Sequence, residues 1–496
     1  MPSKKSIYKS VAVVTAFSVA TRLIAFLFKV FVSRRFGAGV VGVYQMALSI
    51  YFFAGSVALS GLPTVLSRKI AEDENAGGTN TPSLVSTSLL LSILSTLPIL
   101  LTIYPLALFC PSVFADERVL PLVMIMLPAL LSTSVYNVIR AWFWGKKSFS
   151  AFSFTEMLEE VLRISFTLIF SLGVVSFITP LRGLAVGFLV SDLTCAVVLF
   201  IIFLAKKGKF GRIKGAGEIL KPAIPITSMR VFGGIIGAFT AIVIPLLLVK
   251  YGMQKIDASA TFGRVTGMAM PLLMAPTTLT GALSVVLIPE IATIKSGDKK
   301  ALSSRVDGSI NFAIIISALF TILYASLGKE ITTFVFNDVF SGEYLSNVAF
   351  MLYPMGISQI TTSILNSMGL EKRGFFNYAV GAVLSMICTL VFPKFVGIYA
   401  VAIGSATCFI VTSLLNLKIL GKKARILDDP KKTALSIVFS LPLIALSFLL
   451  KNLLLPRIPL FFTISIAGGV PMLLYLLICV AFKIVDVTRF YSKKKS

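Results

Sequence analysis

Histidine is absent from the sequence, and acidic residues are scarce: 21 Asp and Glu stand against 46 Lys and Arg in 496 residues. Without histidine, His-based zinc sites and histidine general bases are excluded. The five cysteines are scattered through apolar segments without a CxxC motif, so we expect neither disulfides nor a metal site. The sequence also lacks a Walker loop, a nucleophile–base pair and a metal-ligand cluster, and we therefore expect no cofactor and no enzymatic activity.

Charged residues of either sign are few as well. They make up 14% of the chain, whereas soluble domains carry about 25%. Hydrophobic residues make up 56%, the mean hydropathy is +0.93, and apolar runs of membrane-spanning length recur throughout. The first run is too long for a cleavable signal and no small-residue cleavage site follows it. These features predict an all-α, polytopic membrane protein.

Fourteen apolar segments can be placed along the chain, each long enough to cross a bilayer as a helix. The division between the eleventh and twelfth is the weakest, because only Lys394 and Gly397 separate them. The predicted segments are 11–33, 43–66, 83–109, 119–144, 151–177, 183–205, 222–249, 260–289, 308–328, 345–368, 375–393, 397–417, 433–450 and 460–482.

The net charge of +25 at first suggests a nucleic-acid partner, but the cations lie in short loops between apolar segments. With the N-terminus in the cytoplasm, the inside loops and termini hold 31 Lys and Arg and the outside loops hold 10. Cytoplasmic loops of membrane proteins carry such an excess of cations. We therefore predict cytoplasmic N- and C-termini in a bacterial inner membrane, and no nucleic-acid partner.

An internal repeat divides the predicted helices. The segments GVYQMALSIYFFAGSVALSGLPTVLSRKIA (42–71) and GRVTGMAMPLLMAPTTLTGALSVVLIPEIA (263–292) align without a gap, and GLAVGFLVSDLTCAVVLFIIF (183–203) is similar to GIYAVAIGSATCFIVTSLLNL (397–417). Six spans is an even number, so the halves would be parallel repeats related by an axis along the membrane normal. The predicted parts are an N-lobe (1–206, helices 1–6), a basic cytoplasmic linker (207–221), a C-lobe (222–420, helices 7–12), and helices 13–14 with a basic tail (421–496).

Five cations fall inside the predicted spans: Arg22, Lys29, Arg163, Arg230 and Arg264. A charge at mid-bilayer costs about 2.5–3.5 kcal/mol on insertion scales, so these side chains should face a cavity or a partner. On helix 1, Arg22 and Lys29 share a face with small residues, and Arg230 and Arg264 lie on similar faces of helices 7 and 8. Small residues on such faces could equally serve close helix packing.

Alternatives to a binding role differ between these sites. Glu159 and Arg163 have i, i+4 spacing and could neutralise each other. Asp192 could pair with a neighbouring helix, and Lys29 could extend to the outer surface. Arg22 is too deep for that and has no carboxylate on its own helix. An excess of unpaired arginine in a cavity favours an anionic substrate, because guanidinium binds phosphate through two parallel charge-assisted hydrogen bonds.

Four stretches resemble the stage V sporulation protein B family, a polysaccharide biosynthesis family of the multidrug/oligosaccharidyl-lipid/polysaccharide exporter superfamily. Together they follow the family's order across helices 1–12. These stretches are TRLIAFLFKVFVSRRFGAGVVGVYQMALSIYFFAGSVALSGLPTVLSRKIAE (21–72), RAWFWGKKSFSAFSFTEMLEEVLRI (140–164), FGRVTGMAMPLLMAPTTLTGALSVVLIPEIA (262–292) and ILNSMGLEKRGFFNYAVGAVLSMI (364–387).

This family is related to the lipid II flippases, which move an undecaprenyl-pyrophosphate peptidoglycan precursor through a cationic cavity between two six-helix lobes. The resemblance implies a cell-wall flippase working by alternating access, with the head group held by Arg22, Arg230 and Arg264. Thr21 and Arg22 match the family's Thr/Ser-Arg pair. Phe28 and Lys29 stand where the flippases often have Arg-Asp, so only the positive charge is retained there. Lys29, Arg163, Asp192 and Glu159 are secondary cavity candidates.

Three other functions remain open. The chain could export another lipid-linked glycan, such as a capsule, teichoic or spore-wall precursor, because the anionic carrier head is the same. It could be a cation-coupled multidrug antiporter of the same superfamily, using its carboxylates. A scaffold or scramblase for spore-wall assembly would not need alternating access. We expect a monomer whose partners are the lipid-linked anionic glycan and membrane lipids; the sequence does not decide between a coupling ion and the membrane potential.

Overall fold

The computed structural model describes residues 4–58, 60–109, 113–173, 178–292, 299–422 and 430–482. Throughout these ranges the regular elements are helices, as the hydropathy pattern predicts. The chain divides into two compact units, Met1–Gly263 and Arg264–Ser496. Cys110 and the basic tail after residue 482 lie outside the described residues.

In the described residues of the first unit there are nine helices. The longest, α1, contains one residue with non-helical geometry, Gly37 at φ 78° and ψ 172°, so it consists of two helical segments. Glycine reaches this positive φ without the steric cost that a side chain would add. The helices are α1 (Lys4–Val57), α2 (Leu62–Asn75), α3 (Thr81–Phe109), α4 (Val119–Met126), α5 (Ala129–Gly145), α6 (Phe149–Ser171), α7 (Pro180–Ala205), α8 (Ala216–Lys250) and α9 (Lys255–Gly263).

The second unit begins with a π-helical turn, Arg264–Ala269, and its described ranges contain ten α-helices with one 3₁₀ turn, Ala349–Met351. The weakest predicted division is confirmed, since α15 and α17 are separate helices joined by the short α16. The helices are α10 (Met270–Met274), α11 (Thr277–Ala292), α12 (Lys299–Phe336), α13 (Val339–Val348), α14 (Leu352–Ser367), α15 (Glu371–Val391), α16 (Pro393–Val396), α17 (Tyr399–Gly421), α18 (Pro430–Leu454) and α19 (Leu460–Ala481).

Ten helices in the described part of the chain are long and apolar enough to cross a membrane, and α4 with α5, bent by 43°, gives an eleventh. Many large apolar side chains are also exposed, including Leu101 at 73% and Phe395 at 71%. Such a surface suits a lipid environment, and the chain is a multi-pass membrane protein. Each of the fourteen predicted spans overlaps a helix or a series of short helices, but the count of fourteen itself stays a prediction.

The predicted lobes and the compact units are divided at different positions. The repeat places helices from residue 222 onward in a C-lobe, whereas α8 and α9 belong by their packing to the first unit. In that unit α2 and α8 meet at Gly61, whose N–H donates to the Thr227 hydroxyl at 3.0 Å. A repeat describes sequence kinship and a compact unit describes contacts, so the division into two six-helix lobes remains a proposal.

Close backbone contact joins α1 and α9. A Cβ atom added to Gly42 would lie 1.8 Å from the Ser259 carbonyl oxygen, and one added to Gly263 would lie 2.3 Å from the Ala38 carbonyl oxygen. Only glycine allows this approach. Beside it, the Ser259 hydroxyl donates to Asp116 at 2.8 Å. The start of the predicted eighth span is therefore packed directly on the second half of α1.

Hydrogen bonds to Asp73 close the connection between α2 and α3. Its carboxylate accepts from the Thr81 hydroxyl at 2.7 Å and from the Thr81 N–H at 2.6 Å, and the Asn80 N–H also donates to it. Burial alone would raise the pKa of Asp73, but these hydrogen bonds hold the pKa below its ordinary value. The carboxylate therefore acts as a cap for the first turn of α3.

A buried ion pair connects α18 to α12 in the second unit. Lys451 is only 8% exposed, and its Nζ lies 3.3 Å from Glu330 Oε1. The same ammonium group donates to the Ser326 carbonyl at 3.2 Å. Lys451 directly follows the predicted span 433–450 and is one of the ten cations counted in outside loops; the structure instead shows it in the last turn of α18.

Candidate functional site

The predicted cations of helix 1 both lie on α1 with exposed side chains. Arg22 makes no hydrogen bond or ion pair with the residues that the structure describes. Its neighbour Thr21 has a buried hydroxyl without a hydrogen-bond partner in the same part of the chain. Lys29 lies seven residues beyond Arg22, on the same helical face. The guanidinium of Arg22 is therefore available to an anion.

Arg230 lies on α8, and neutral oxygens hold its guanidinium. It donates to the Ser60 carbonyl oxygen and, at 3.2 Å, to the Thr64 hydroxyl. No carboxylate of a described residue forms an ion pair with it. Neutral acceptors position an arginine without cancelling its charge, so Arg230 retains its full attraction for an anion.

A cavity of about 220 Å³ lies beside Arg230 within the first unit. Its wall includes one face of α5, formed by Thr133, Asn137, Arg140 and Trp144. These four residues follow i, i+4, i+7, i+11 spacing, the period of one helix face. Arg140 lies near the end of the predicted span 119–144 and was counted with the cytoplasmic cations, so this face was not predicted. In the structure Arg140 lies within α5. The spacing of polar residues in STSVYNVIRAWFWG could have revealed the face.

Arg140 is partly neutralised. Its Nη2 lies 3.2 Å from Glu156 Oε1, and its guanidinium carbon lies 4.3 Å from the centre of the Phe152 ring. Its Nε is buried and has no hydrogen-bond partner among the described residues. One donor of the guanidinium thus remains unused beside the cavity.

A second group of predicted residues forms a buried ionic cluster between α6 and α7. Arg163 forms ion pairs with Glu159 and, at 3.0 Å, with Glu160 on its own helix, and its Nη2 lies 3.7 Å from Asp192 Oδ1 on α7. The mutual neutralisation of Glu159 and Arg163 that the spacing suggested is observed, and so is the pairing of Asp192 with a neighbouring helix. The guanidinium of Arg163 is thus engaged by carboxylates of α6 and α7.

Asp192 also contacts two hydroxyl groups. Its Oδ2 accepts from the Tyr51 hydroxyl and from the Thr133 hydroxyl, each at 3.1 Å, while Oδ1 is buried without a hydrogen bond from any described residue. A second cavity of about 110 Å³ lies at this point. It shares Thr133, Asn137 and Arg140 with the larger cavity, so the α5 face borders both.

Arg264 lies at the start of the second unit and is paired. Its Nε lies 3.0 Å from Asp338 Oδ2, and its guanidinium carbon lies 4.8 Å from the centre of the Phe340 ring. An anionic head group at Arg264 would have to compete with Asp338. Arg22 and Arg230 belong to the first unit and Arg264 to the second, and a joint role for the three stays a prediction.

These groups can bind an anion but offer little for catalysis or metal binding. Within the described ranges no three His, Cys, Asp or Glu side chains are arranged to hold a metal ion. The first unit instead combines arginines, hydroxyls and an amide around a cavity of about 220 Å³. Such a set fits a phosphate-bearing or polyhydroxylated ligand.

Comparison with known proteins places the chain in a family. The sequence profile of the family described as "Polysaccharide biosynthesis protein" matches residues 7–295, more than half of the chain. The chain belongs to this family. This result agrees with the polysaccharide biosynthesis family that the four sequence stretches indicated.

Two relatives from Bacillus subtilis (strain 168) match over most of their length. Stage V sporulation protein B is 25% identical over 461 residues, covering 88% of this chain and 87% of the relative. Lipid II flippase MurJ is 21% identical over 476 residues, covering 86% and 85%. The match of this family member is thus with whole proteins and not with one segment.

Two solved structures share the fold. Lipid II flippase MurJ in an inward closed conformation has a TM-score of 0.73 at 14% identity, covering 95% of this chain and 99% of that chain. An inward-facing multidrug resistance MATE family transporter has a TM-score of 0.63 at 16% identity, covering 81% and 94%. At these sequence identities the similarity establishes the fold of this chain and not its substrate.

Proposed function

We propose that the chain is a flippase that moves a lipid-linked anionic glycan outward across the bacterial cytoplasmic membrane by alternating access. The substrate we favour is an undecaprenyl-pyrophosphate peptidoglycan precursor, lipid II. Arg22 and Arg230 hold the pyrophosphate, and Arg264 contributes once Asp338 is displaced. The isoprenoid tail stays in the bilayer throughout.

The observation that carries this proposal is the position of Arg230 at a cavity and the neutral charge of its hydrogen-bond acceptors. The guanidinium lies beside a polar cavity, and its hydrogen-bond acceptors are neutral oxygens. A pyrophosphate offers such a group bidentate, charge-assisted hydrogen bonds of about 1.5–3 kcal/mol each. The names of the two relatives, a lipid II flippase and a sporulation protein, agree with a substrate of this class.

The membrane potential can drive export. With the inside negative, outward movement of an anion gains about 2.3 kcal/mol per charge per 100 mV. This direction follows from the predicted cytoplasmic termini, which place the basic loops at the entrance. The cationic loops would also raise the local concentration of an anionic lipid head group.

Replacing Arg22 or Arg230 by alanine tests the proposal. Each change removes charge-assisted hydrogen bonds to phosphate, so we expect flipping of a fluorescent lipid II analogue in proteoliposomes to fall about 10- to 100-fold. Complementation of a flippase-depleted strain should be lost in parallel, while the variants still insert.

The matched control is Arg457→Ala, because Arg457 is exposed in the turn between α18 and α19. It should flip at the wild-type rate. Full activity of both Arg22→Ala and Arg230→Ala would rule out the proposed head-group site. If lipid II is not moved but a capsule or teichoic precursor is, the site stands and the glycan changes.

A cation-coupled multidrug antiporter is the second candidate, and the buried carboxylates favour it. Glu159, Glu160 and Asp192 surround Arg163, and intramembrane carboxylates are the groups on which transporters exchange protons and other cations. The fold shared with a MATE transporter is compatible with this function. Overexpression in a drug-sensitive strain separates the candidates: raised resistance to cationic drugs would favour the antiporter.

A further inference from the structure

The α5 face at the cavity carries a neutral amide and an aromatic ring in addition to an arginine. Asn137 is half-buried at the cavity wall, and its amide makes no hydrogen bond with the residues that the structure describes. Thr133 lies on the same wall, but its hydroxyl already donates to Asp192, so Asn137 is the polar group of this face that is open to a ligand. An amide offers two donors and two acceptor lone pairs, which suits a ligand with several hydroxyl groups.

Next to this polar stripe lies an unusually open tryptophan. Trp144 is 51% exposed, whereas Trp142, two residues earlier, is 4% exposed. The Trp144 ring is braced by Phe152, whose ring centre lies 4.8 Å away at an interplanar angle of 54°. The indole therefore has a fixed support on one side and free surface at the cavity.

Two arginines also line the cavity. Arg140 and Arg230 reach the same cavity from α5 and α8, and Arg140 retains a buried, unused Nε donor. A ligand in this cavity would meet guanidinium groups, an amide, hydroxyls and an aromatic surface within about 220 Å³. That volume is below the roughly 300–1,000 Å³ of a drug-sized pocket, so one ring-sized group fits better than a large apolar drug.

We infer that this cavity is a saccharide subsite, which receives the sugar next to the diphosphate of the lipid-linked substrate. Trp144 stacks against the apolar face of the pyranose, Asn137 binds its polar substituents, and Arg140 with Arg230 binds the adjacent phosphate. This inference rests on the proposed flippase function and adds to it the means by which a sugar-bearing lipid is distinguished from the bare carrier.

Discrimination follows from the chemistry of the wall. Buried polar groups left unpaired by a ligand that lacks the sugar would weaken its binding, whereas the phosphate contacts are common to both lipids. Sugar-free undecaprenyl diphosphate should therefore bind through the arginines alone. The exporter would load a glycosylated carrier in preference to a spent one.

Trp144 itself supplies the measurement, because the chain has only two tryptophans. The full-length protein in lipid nanodiscs is titrated with undecaprenyl diphosphate and with the same lipid carrying one N-acetylhexosamine. The Trp142→Phe variant leaves Trp144 as the single indole, and acrylamide quenching reports its accessibility. Should that variant fold poorly, the difference between wild type and Trp144→Phe gives the same signal.

We expect the sugar-bearing lipid to lower the Trp144 quenching constant at least about threefold and the sugar-free lipid to leave it unchanged. Asn137→Ala and Trp144→Phe should each weaken binding of the sugar-bearing lipid about 2- to 10-fold with little effect on the sugar-free lipid. Phe154→Ala removes an exposed aromatic ring of α6 outside the cavity wall and should change neither affinity.

Equal affinity for the two lipids with unchanged Trp144 accessibility would overturn the subsite. Lipid II flipping measured on the same protein then decides separately whether the flippase proposal stands. Failure of both lipids to bind, together with absent flipping, would overturn both proposals. Loss of flipping in Arg230→Ala alongside intact sugar discrimination would support the subsite and the phosphate contact of Arg230 together.

Discussion

The intramembrane arginines differ in the partners that surround them, and this decides what each can bind. Arg163 is enclosed by carboxylates, and Arg264 pairs with one. Arg230 is held by neutral oxygens, and Arg22 has no partner among the described residues. Sequence gives the sign and the depth of a charge, but its availability depends on side chains that arrive from other helices.

The role of Arg264 can be tested through its partner. Asp338 pairs with Arg264 and also caps α13, since its Oδ1 accepts from the Ser341 N–H at 2.7 Å. Asparagine is an equally good helix cap but carries no charge. Asp338→Asn should therefore preserve α13, release Arg264 and tighten binding of undecaprenyl diphosphate about 3- to 10-fold, measured by titration in nanodiscs.

Arg264→Ala in the Asp338→Asn background is the control for that gain. If Arg264 binds the head group, the second change abolishes the tighter binding. Unchanged affinity in Asp338→Asn would leave Arg264 with a structural role, and the proposed head-group site would then consist of Arg22 and Arg230.

At the residue scale, contacts within one helix could be predicted from the sequence, whereas contacts between helices could not. The i, i+4 spacing was enough to foresee the Glu159–Arg163 pair, because both residues lie on one helix. The contacts of Asp192 and the α5 face required knowledge of which helices pack together. Arg140 was missed for a different reason: helix ends are uncertain by several residues, and a cation near such an end is readily counted with the loop.

Individual helices were predicted better than the way they continue into one another. The apolar runs located the membrane helices, including the short division between α15 and α17. The break at Gly37 falls between the first two predicted segments, 11–33 and 43–66, although the structure shows one continuous element with Arg34 and Arg35 in it and no loop. The bend between α4 and α5 was not predicted, because hydropathy is continuous across it. Conversely, α8 contains three prolines, Pro222, Pro225 and Pro245, within one helix. Local geometry thus depends on packing that a hydropathy pattern does not contain.

The contact between α1 and α9 gives a prediction about one methyl group. In Gly42→Ala the new Cβ would lie 1.8 Å from the Ser259 carbonyl oxygen, so the two helices must separate. Overpacking of this kind costs about 1–3 kcal/mol. We expect thermal unfolding of the purified protein in detergent to begin several degrees lower than in the wild type.

Three residues away lies the matched control. A Cβ on Gly39 meets nothing within 4 Å, and alanine is a better helix former than glycine by about 1 kcal/mol. Gly39→Ala should therefore unfold at the wild-type temperature or above it. Equal melting of both variants would mean that α9 does not rest on α1 as described.

At the scale of the whole molecule, composition was the strongest guide. Low charge, long apolar runs and cations concentrated in the connections between them predicted an all-helical, multi-pass membrane protein, and the structure confirms that class. The two six-helix lobes stay a proposal, since the packing of α8 and α9 assigns them to the first unit. The repeat is a similarity between two parts of the sequence, whereas the compact units are defined by contacts in the structure, and the two divisions need not coincide.

The predicted added pair of helices, α18 and α19, is part of the second unit's core. Leu443, Tyr475 and Cys479 belong to the same buried cluster as Ile322 and Tyr353. A late addition could have packed only on the surface. Its apolar side chains instead complete the interior of the unit.

Removing the cation of the buried ion pair tests this dependence. Lys451→Met leaves Glu330 as a buried carboxylate without its partner, and such a loss costs about 3–5 kcal/mol. We expect a lower unfolding temperature in detergent. Lys451→Met combined with Glu330→Gln removes both charges and should recover most of the loss; an equally unstable double variant would show that the pair itself is not responsible.

The Lys451–Glu330 pair also has a consequence for synthesis. Translation reaches Ser326, Glu330 and the rest of α12 well before it reaches Lys451, which lies 125 residues beyond Ser326. Throughout that interval Glu330 lacks the counter-ion that it has in the finished protein. A ribosome that stalls before α18 would therefore leave α12 with an unpaired carboxylate and the second unit without part of its core.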